Sequence, residues 1–184
     1  RLGRINLFCQ KNVLWILLFL LHILPLTSRP AIIGGDEPHY AIMSHSIATD
    51  RDIDLTNNYA QADAGVSNSA GKKYRGNSHL GKHTIKVDGK IVFKHPLGLP
   101  LLTAPLIWAK ELFTPNASPD IVLLLFTAVI TFIGLIAGTE LLGAYCENRV
   151  HGRIAALSFY FSTPLWFYSR TFFTEPYIWS LVLV

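Results

Sequence analysis

Two adjacent carboxylates stand in Gly34-Gly35-Asp36-Glu37-Pro38-His39-Tyr40, directly after the first apolar run of the chain. An acid ahead of a Pro in a first helical turn satisfies free backbone N–H groups and complements the helix dipole. One acid is enough for that, and two at a water–lipid boundary carry a desolvation cost that capping does not require. The surplus suits a general base that takes a proton from a hydroxyl, or a ligand for a divalent cation. A third acid, Glu175, stands in Phe172-Phe173-Thr174-Glu175-Pro176, again before a Pro-initiated helix. If these acids face one cleft, one acts as base while another orients an acceptor or holds a cation. If they are only caps, they do no chemistry.

Other constellations are weaker. Asp50, Asp52 and Asp54 are spaced like the start of a calcium loop, but Leu55 stands where Gly is needed and Gln61 where Glu is needed. His79 and His83 have the i, i+4 spacing of a zinc pair, yet Gly81 lies between them and no Cys or acid clusters nearby, so no metal ligands are assigned from spacing. P-loop, G-x-S-x-G and H-E-x-x-H motifs are absent. The cysteines, Cys9 and Cys146, suggest neither a disulfide framework nor a metal motif. Asn116-Ala117-Ser118 is a formal glycosylation sequon flanked by Pro115 and Pro119.

The elements that must position the acids are set by hydropathy. Of 184 residues, 51% are hydrophobic and 15% charged, against roughly a quarter charged in an ordinary soluble domain. The shortage is concentrated in a few segments, which indicates a membrane protein. The net charge of +4 comes without a basic helix or a stripe of Lys/Arg among aromatics, so no nucleic-acid partner is expected. The expected fold is mainly α: a polytopic membrane protein with about four spans. The first covers residues 12–30, the second 119–146, the third 153–169, and the fourth starts at 176 and is cut short. Signal peptides share the basic start before Val13–Leu26, but Leu26-Thr27-Ser28-Arg29-Pro30 lacks a small-residue cleavage site. The chain is read as the N-terminal part of a longer protein.

Between the first two spans lies a long polar loop, 31–118. Within it, Tyr40, Met43 and Ile47 repeat at helical spacing in Pro38–Ala48, with His39 and Ser46 on other faces, giving a short amphipathic helix on the bilayer surface. Thr84–Phe93 reads as a hairpin turning on Asp88-Gly89, which tolerates positive φ. Leu101–Phe113 reads as a second surface-lying helix, kept from being long and regular by Pro100 and Pro105. Lys and Arg near span ends set orientation. Arg1, Arg4 and Lys11 precede the first span, and Arg149 and Arg153 lie between the second and third, so both flanks belong inside. The 31–118 loop and the turn before Glu175 then emerge outside.

A first span followed by GDEPHY, a long outer loop with KHPLGLPLLTAP, a spanning helix, and TEP before the fourth resembles the N-terminal part of the membrane-embedded GT-C glycosyltransferases. The bacterial group related to protein O-mannosyltransferases and lipid A aminoarabinose transferases is most similar. His95-Pro96-Leu97 corresponds to that family's His-Pro-Pro segment, with Leu97 at the second Pro. The resemblance implies an inverting enzyme of the bacterial inner membrane, its active site on the outer face. It would pass a sugar from a polyprenyl-phosphate donor to a hydroxyl of a glycan, lipid or protein acceptor. Asp36 would be the base, with Glu37 and Glu175 positioning the acceptor or a divalent cation. Lys94 and His95 would meet the charge of the departing lipid phosphate, with His39 also among the substrate-binding candidates. The part in hand would be inactive alone. The contrasting expectation is a non-catalytic transporter or envelope-assembly factor, but transport favours ionisable groups inside spans, where only His22 and Glu140 qualify.

Overall fold

The computed structural model describes residues 13, 15–24, 36–63, 83–116, 119–164, 171 and 174–183. It is mainly helical and falls into two compact units. One consists of residues up to 30, of 125–170 and of 175–184; the other consists of 31–124 and 171–174.

The first unit holds a helical run at 15–23, the greater part of helix Pro119–Tyr145, helix Arg149–Ser162 and helix Glu175–Leu183. Pro119–Tyr145, at 27 residues, is the one helix among the described residues that is long and apolar enough to cross a membrane. At 1.5 Å per residue it extends about 40 Å, more than the roughly 30 Å of hydrocarbon in a bilayer. Its sequence supplied this directly, because Ile121–Thr139 contains no charge. The third expected span is revised. Its helix starts earlier, at Arg149, where the Asn148 side chain accepts from the N–H groups of Val150 and His151 at 3.0 and 3.3 Å. It ends at Ser162 because Thr163, preceding Pro164, is extended. Its 14 residues reach only about 21 Å, and residues 165–170 with the aromatics Trp166, Phe167 and Tyr168 lie outside the described residues.

An apolar centre with several buried polar groups is surrounded by outward apolar side chains. Phe132, Leu135 and Tyr160 form the centre, surrounded by Trp15, Leu18, Phe19, Ile136, Leu157, Phe161 and Trp179. His22 is fully buried, with Nε2 3.1 Å from the Ala128 carbonyl and Nδ1 3.0 Å from the Tyr160 hydroxyl. A carbonyl only accepts, so Nε2 donates to Ala128, and the ring ties three helices together through the Ala128 and Tyr160 contacts. Thr127 Oγ1 and the Tyr177 hydroxyl meet at 2.6 Å. Ile16, Leu17, Leu20, Ile133, Ile154, Phe159, Ile178 and Leu181, by contrast, face outward. Replacing His22 by Phe leaves a buried hydroxyl and a carbonyl without this partner, and should cost roughly 1–3 kcal/mol in unfolding measurements in detergent.

Small residues let the backbones approach. A Cβ on Gly134 would come within 2.7 Å of Ser180 Oγ and 2.9 Å of Ser180 Cα. A Cβ on Gly152 would fall on the Leu142 carbonyl oxygen and 3.0 Å from Gly143 Cα. Beside this contact Arg153 donates from Nη2 to Glu140 Oε2 at 2.7 Å, so the ionisable group near the end of the long helix is paired.

The second unit is built around helix Glu37–His45, extended by a π-helical turn Ser46–Asp50 that Arg51 ends in left-handed geometry, φ 62°. Pro38 pre-sets the first turn, where Glu37 also favours the helix dipole. The expected amphipathic surface helix is corrected: every residue from Glu37 to Ser44 is buried, His39 included, and so is Ser46. Helix Gly98–Phe113 packs along it, with Ser44 Oγ and Thr103 Oγ1 meeting at 2.8 Å, while Tyr59 and Phe93 close other sides.

Helix Gly98–Phe113 runs 16 residues through Pro105, contrary to the expected interruption. Pro100 falls in the first turn, where no N–H is needed, and the missing bond at Pro105 is a local loss that the packed face outweighs. Its outward face is apolar, with Leu101, Leu102, Trp108, Leu112 and Phe113 all exposed.

The hairpin forms as expected: Thr84–Val87 pairs antiparallel with Lys90–Phe93, Thr84 opposite Phe93 and Val87 opposite Lys90. Asp88 and Gly89 both have positive φ, 51° and 81°, the signature of the two-residue turn whose twist matches the strands. The hairpin is tied to the start of helix Thr56–Asp63, since Leu55 N donates to the Ile91 carbonyl at 2.8 Å and Ile91 N to Thr56 Oγ1 at 3.0 Å.

The three acids of the calcium-like stretch serve local turns. Asp50 Oδ2 accepts from Asn57 and Asn58, each at 3.1 Å, and Asp52 Oδ1 from Ser46 Oγ at 2.9 Å. Asp54 Oδ1 accepts from Thr56 Oγ1 at 2.5 Å and Thr56 N at 3.0 Å, and these bonds hold its carboxyl below the usual value of 3.8. A carboxyl depressed in the folded state adds stability above its unfolded value and loses it as pH falls through the folded one. Titration of the Asp54 carboxyl by NMR should place its midpoint below 3.8, and Thr56→Val should raise it.

Candidate functional site

Asp36 is the N-cap residue of helix Glu37–His45, and its carbonyl accepts from the N–H groups of His39 and Tyr40, both at 3.0 Å. Its carboxylate makes no capping hydrogen bond. The side chain turns instead toward the hairpin, placing Oδ1 2.5 Å from His83 Nδ1 and Oδ2 3.7 Å from His95 Nε2. Both imidazole nitrogens are closed to solvent, and neither makes a hydrogen bond. The three side chains as wholes stay between one fifth and one third exposed.

The hairpin brings the two histidines together. Lys94 N donates to the His83 carbonyl at 3.1 Å, extending the ladder past Thr84 and Phe93. His83 and His95 therefore flank the open end of a hairpin whose register its turn fixes. Aromatic rings hold them there. His39 stacks on His83 at 4.4 Å between centroids, Phe93 lies 4.9 Å from His95, and Tyr40 meets Phe93 edge-on at 5.1 Å. Behind them the Tyr59 hydroxyl lies 2.5 Å from His39 Nδ1. Burial pushes the Tyr59 phenol above its ordinary range, so it stays protonated beside His39.

The expected site residues fare differently. Asp36 and His95 are in the cluster, and His39 backs it as ring support for His83. Glu37 is buried in the first helical turn next to Asp36. Lys94 joins the ladder through its backbone, but its side chain is exposed. Glu175 opens a helix of the other unit, and its side chain is outside the described residues.

His83 is a residue that the sequence left without a role. Its i, i+4 neighbour His79, weighed and set aside as a zinc partner, lies outside the described residues. The partner on the hairpin is His95, twelve residues later, and the signal was available: a two-residue Asp88-Gly89 turn places 83 opposite 94 and beside 95. Asp36, His83 and His95 form a group of three with ligand atoms within 4.8 Å of one another. A carboxylate and two imidazoles in this arrangement can move a proton, hold an anion when protonated, or bind a cation. No protein-family model, curated protein or solved structure matches the chain.

Proposed function

We propose that this chain is the N-terminal part of a multi-pass GT-C-type glycosyltransferase that moves a sugar from a polyprenyl-phosphate donor to an acceptor hydroxyl at the outer face of a membrane. The observation that carries this reading is the Asp36 carboxylate, which leaves its helix uncapped and faces two imidazoles on a partly open side. Of the residues that the resemblance implies for such a site, Glu37 follows Asp36 in the chain and His95 faces its carboxylate. The outward apolar face of helix Gly98–Phe113 suits an element lying on a bilayer, and the apolar exterior of the other unit suits four membrane-embedded helices.

In this reading the acceptor oxygen attacks the anomeric carbon from the face opposite the lipid phosphate. The new carbon–oxygen bond forms as the bond to phosphate breaks, with inversion. The hydroxyl proton passes to Asp36, and positive charge at the open end of the hairpin meets the departing phosphate. A lipid-linked substrate keeps its phosphate at the interface, which explains why the acid belongs at a helix start beside the membrane.

The full-length protein in lipid nanodiscs should transfer label from a radiolabelled polyprenyl-phosphate hexose or pentose to an acceptor in a membrane extract. Folded protein that turns over no hexosyl or pentosyl donor would overturn the proposal. The topology has its own check. With Cys9 and Cys146 replaced, single cysteines placed beside Asp36 and beside Glu175 should both react with an impermeant thiol reagent added outside. Reaction from opposite sides would remove Glu175 from the reaction.

A further inference from the structure

We infer that Asp36, His83 and His95 form a binding site for a zinc-type divalent transition-metal ion. An ordinary histidine–carboxylate pair lines an N–H up with an oxygen. Here His83 Nδ1 and His95 Nε2 both lie against the same carboxylate, both are closed to solvent, and neither makes a hydrogen bond. Two imidazole nitrogens that converge on a carboxylate without a hydrogen bond form a set of donors that a cation can use.

The dimensions agree. Nitrogen and oxygen ligands at about 2.0–2.1 Å around a tetrahedral zinc stand about 3.3 Å from one another. The contacts of 2.5 and 3.7 Å lie on either side of that value, so small side-chain rotations reach it. The donor set selects the ion: two imidazoles and one carboxylate suit zinc-type ions, whereas calcium and magnesium take oxygen sets. The supporting shell is present as well. His39 stacks on His83 and is itself held by Tyr59, and Phe93 packs on His95, which fixes ring orientation before an ion arrives.

Three protein ligands leave a tetrahedral ion one further position, beside three side chains that are each partly exposed. Open three-ligand sites of this kind belong to reaction centres, in contrast to closed four-ligand structural sites. The fourth ligand would be an oxygen donor of a phosphate or a hydroxyl. A carboxylate bound through one oxygen retains the other for a proton, so the metal and the role of Asp36 as base coexist. Assigning the fourth position to the donor phosphate rests on the glycosyl-transfer reading; metal binding itself does not.

The test therefore reads metal, not activity. Full-length protein, stripped with chelator and titrated with zinc, should retain one equivalent per chain after dialysis. Zinc X-ray absorption of the wild type should show a nitrogen/oxygen shell at about 2.0–2.1 Å with scattering from two imidazoles. His83→Gln and His95→Gln should each weaken zinc binding by more than about a hundredfold, since even removing groups behind a ligand costs 10–100-fold. His151→Gln, in the other unit, should leave it unchanged. A wild type that retains no zinc, or a bound zinc with fewer than two imidazoles, overturns the inference whether or not the variants fold. Failure here with intact sugar transfer leaves the proposed reaction standing without a metal; stoichiometric zinc without transfer does the reverse.

Discussion

If the proposed sugar transfer holds, replacing Asp36 by Asn in the full-length protein should lower it by roughly 10²–10⁴-fold, the contribution of a positioned general base. The change keeps size and shape and removes only the charge and the ability to hold a proton. Asn caps helices about as well as Asp, and the Asp36 side chain makes no capping bond to lose. Circular dichroism and thermal unfolding should therefore stay close to wild type while transfer collapses. Retained activity would take Asp36 out of the chemistry and return it to a structural role. Comparison with His83→Gln separates its two proposed duties: a metal ligand alone gives the same loss in both variants, whereas a base that also binds metal makes Asp36→Asn the more damaging.

Gly152→Val should destabilise the unit that holds helix Arg149–Ser162 by roughly 3 kcal/mol, at the upper end of the range for overpacking. The added carbon has no flexible side chain to push aside. It meets the Leu142 carbonyl group and the Gly143 Cα, so the Arg149–Ser162 and Pro119–Tyr145 helices must separate or shift past each other. That separation removes the close backbone contact that holds the pair. The Glu140–Arg153 bridge beside it would lengthen too. Reversible unfolding in mixed micelles measures the loss, and Gly152→Ala should show a smaller one. A Gly152→Val protein as stable as wild type would contradict the close approach.

The parts of this fold that were legible in the sequence are those set by local chemistry. A charge-free run from Ile121 to Thr139 gives a long apolar helix, and Asp88-Gly89 between β-rich runs gives a hairpin with its register. Asp36 and Glu37 were recognisable because two acids exceed what one helix start needs. The unread parts depend on contacts between distant residues. Nothing local in Pro38–Ala48 reveals that a helix with apolar residues on one face is enclosed on the others too, by Thr103, Tyr59 and Phe93. Helical continuation through Pro105 likewise depends on burial of Leu99, Thr103, Ala104 and Ile107 against a neighbour. The pairing of His83 with His95 was accessible in principle, but only by counting across the hairpin instead of along a helix.

That hairpin turn also acts as a gauge of length. Strand residues alternate faces with a period of two, so one residue added between Val87 and Lys90 cannot be absorbed without slipping the ladder or bulging it. A slip would turn His83 away from His95 while leaving every residue of the cluster in the sequence. The capacity of the site thus resides in a spacing as much as in side chains: chains that keep all three ligands but differ by one residue at this turn should differ in whether they hold an ion.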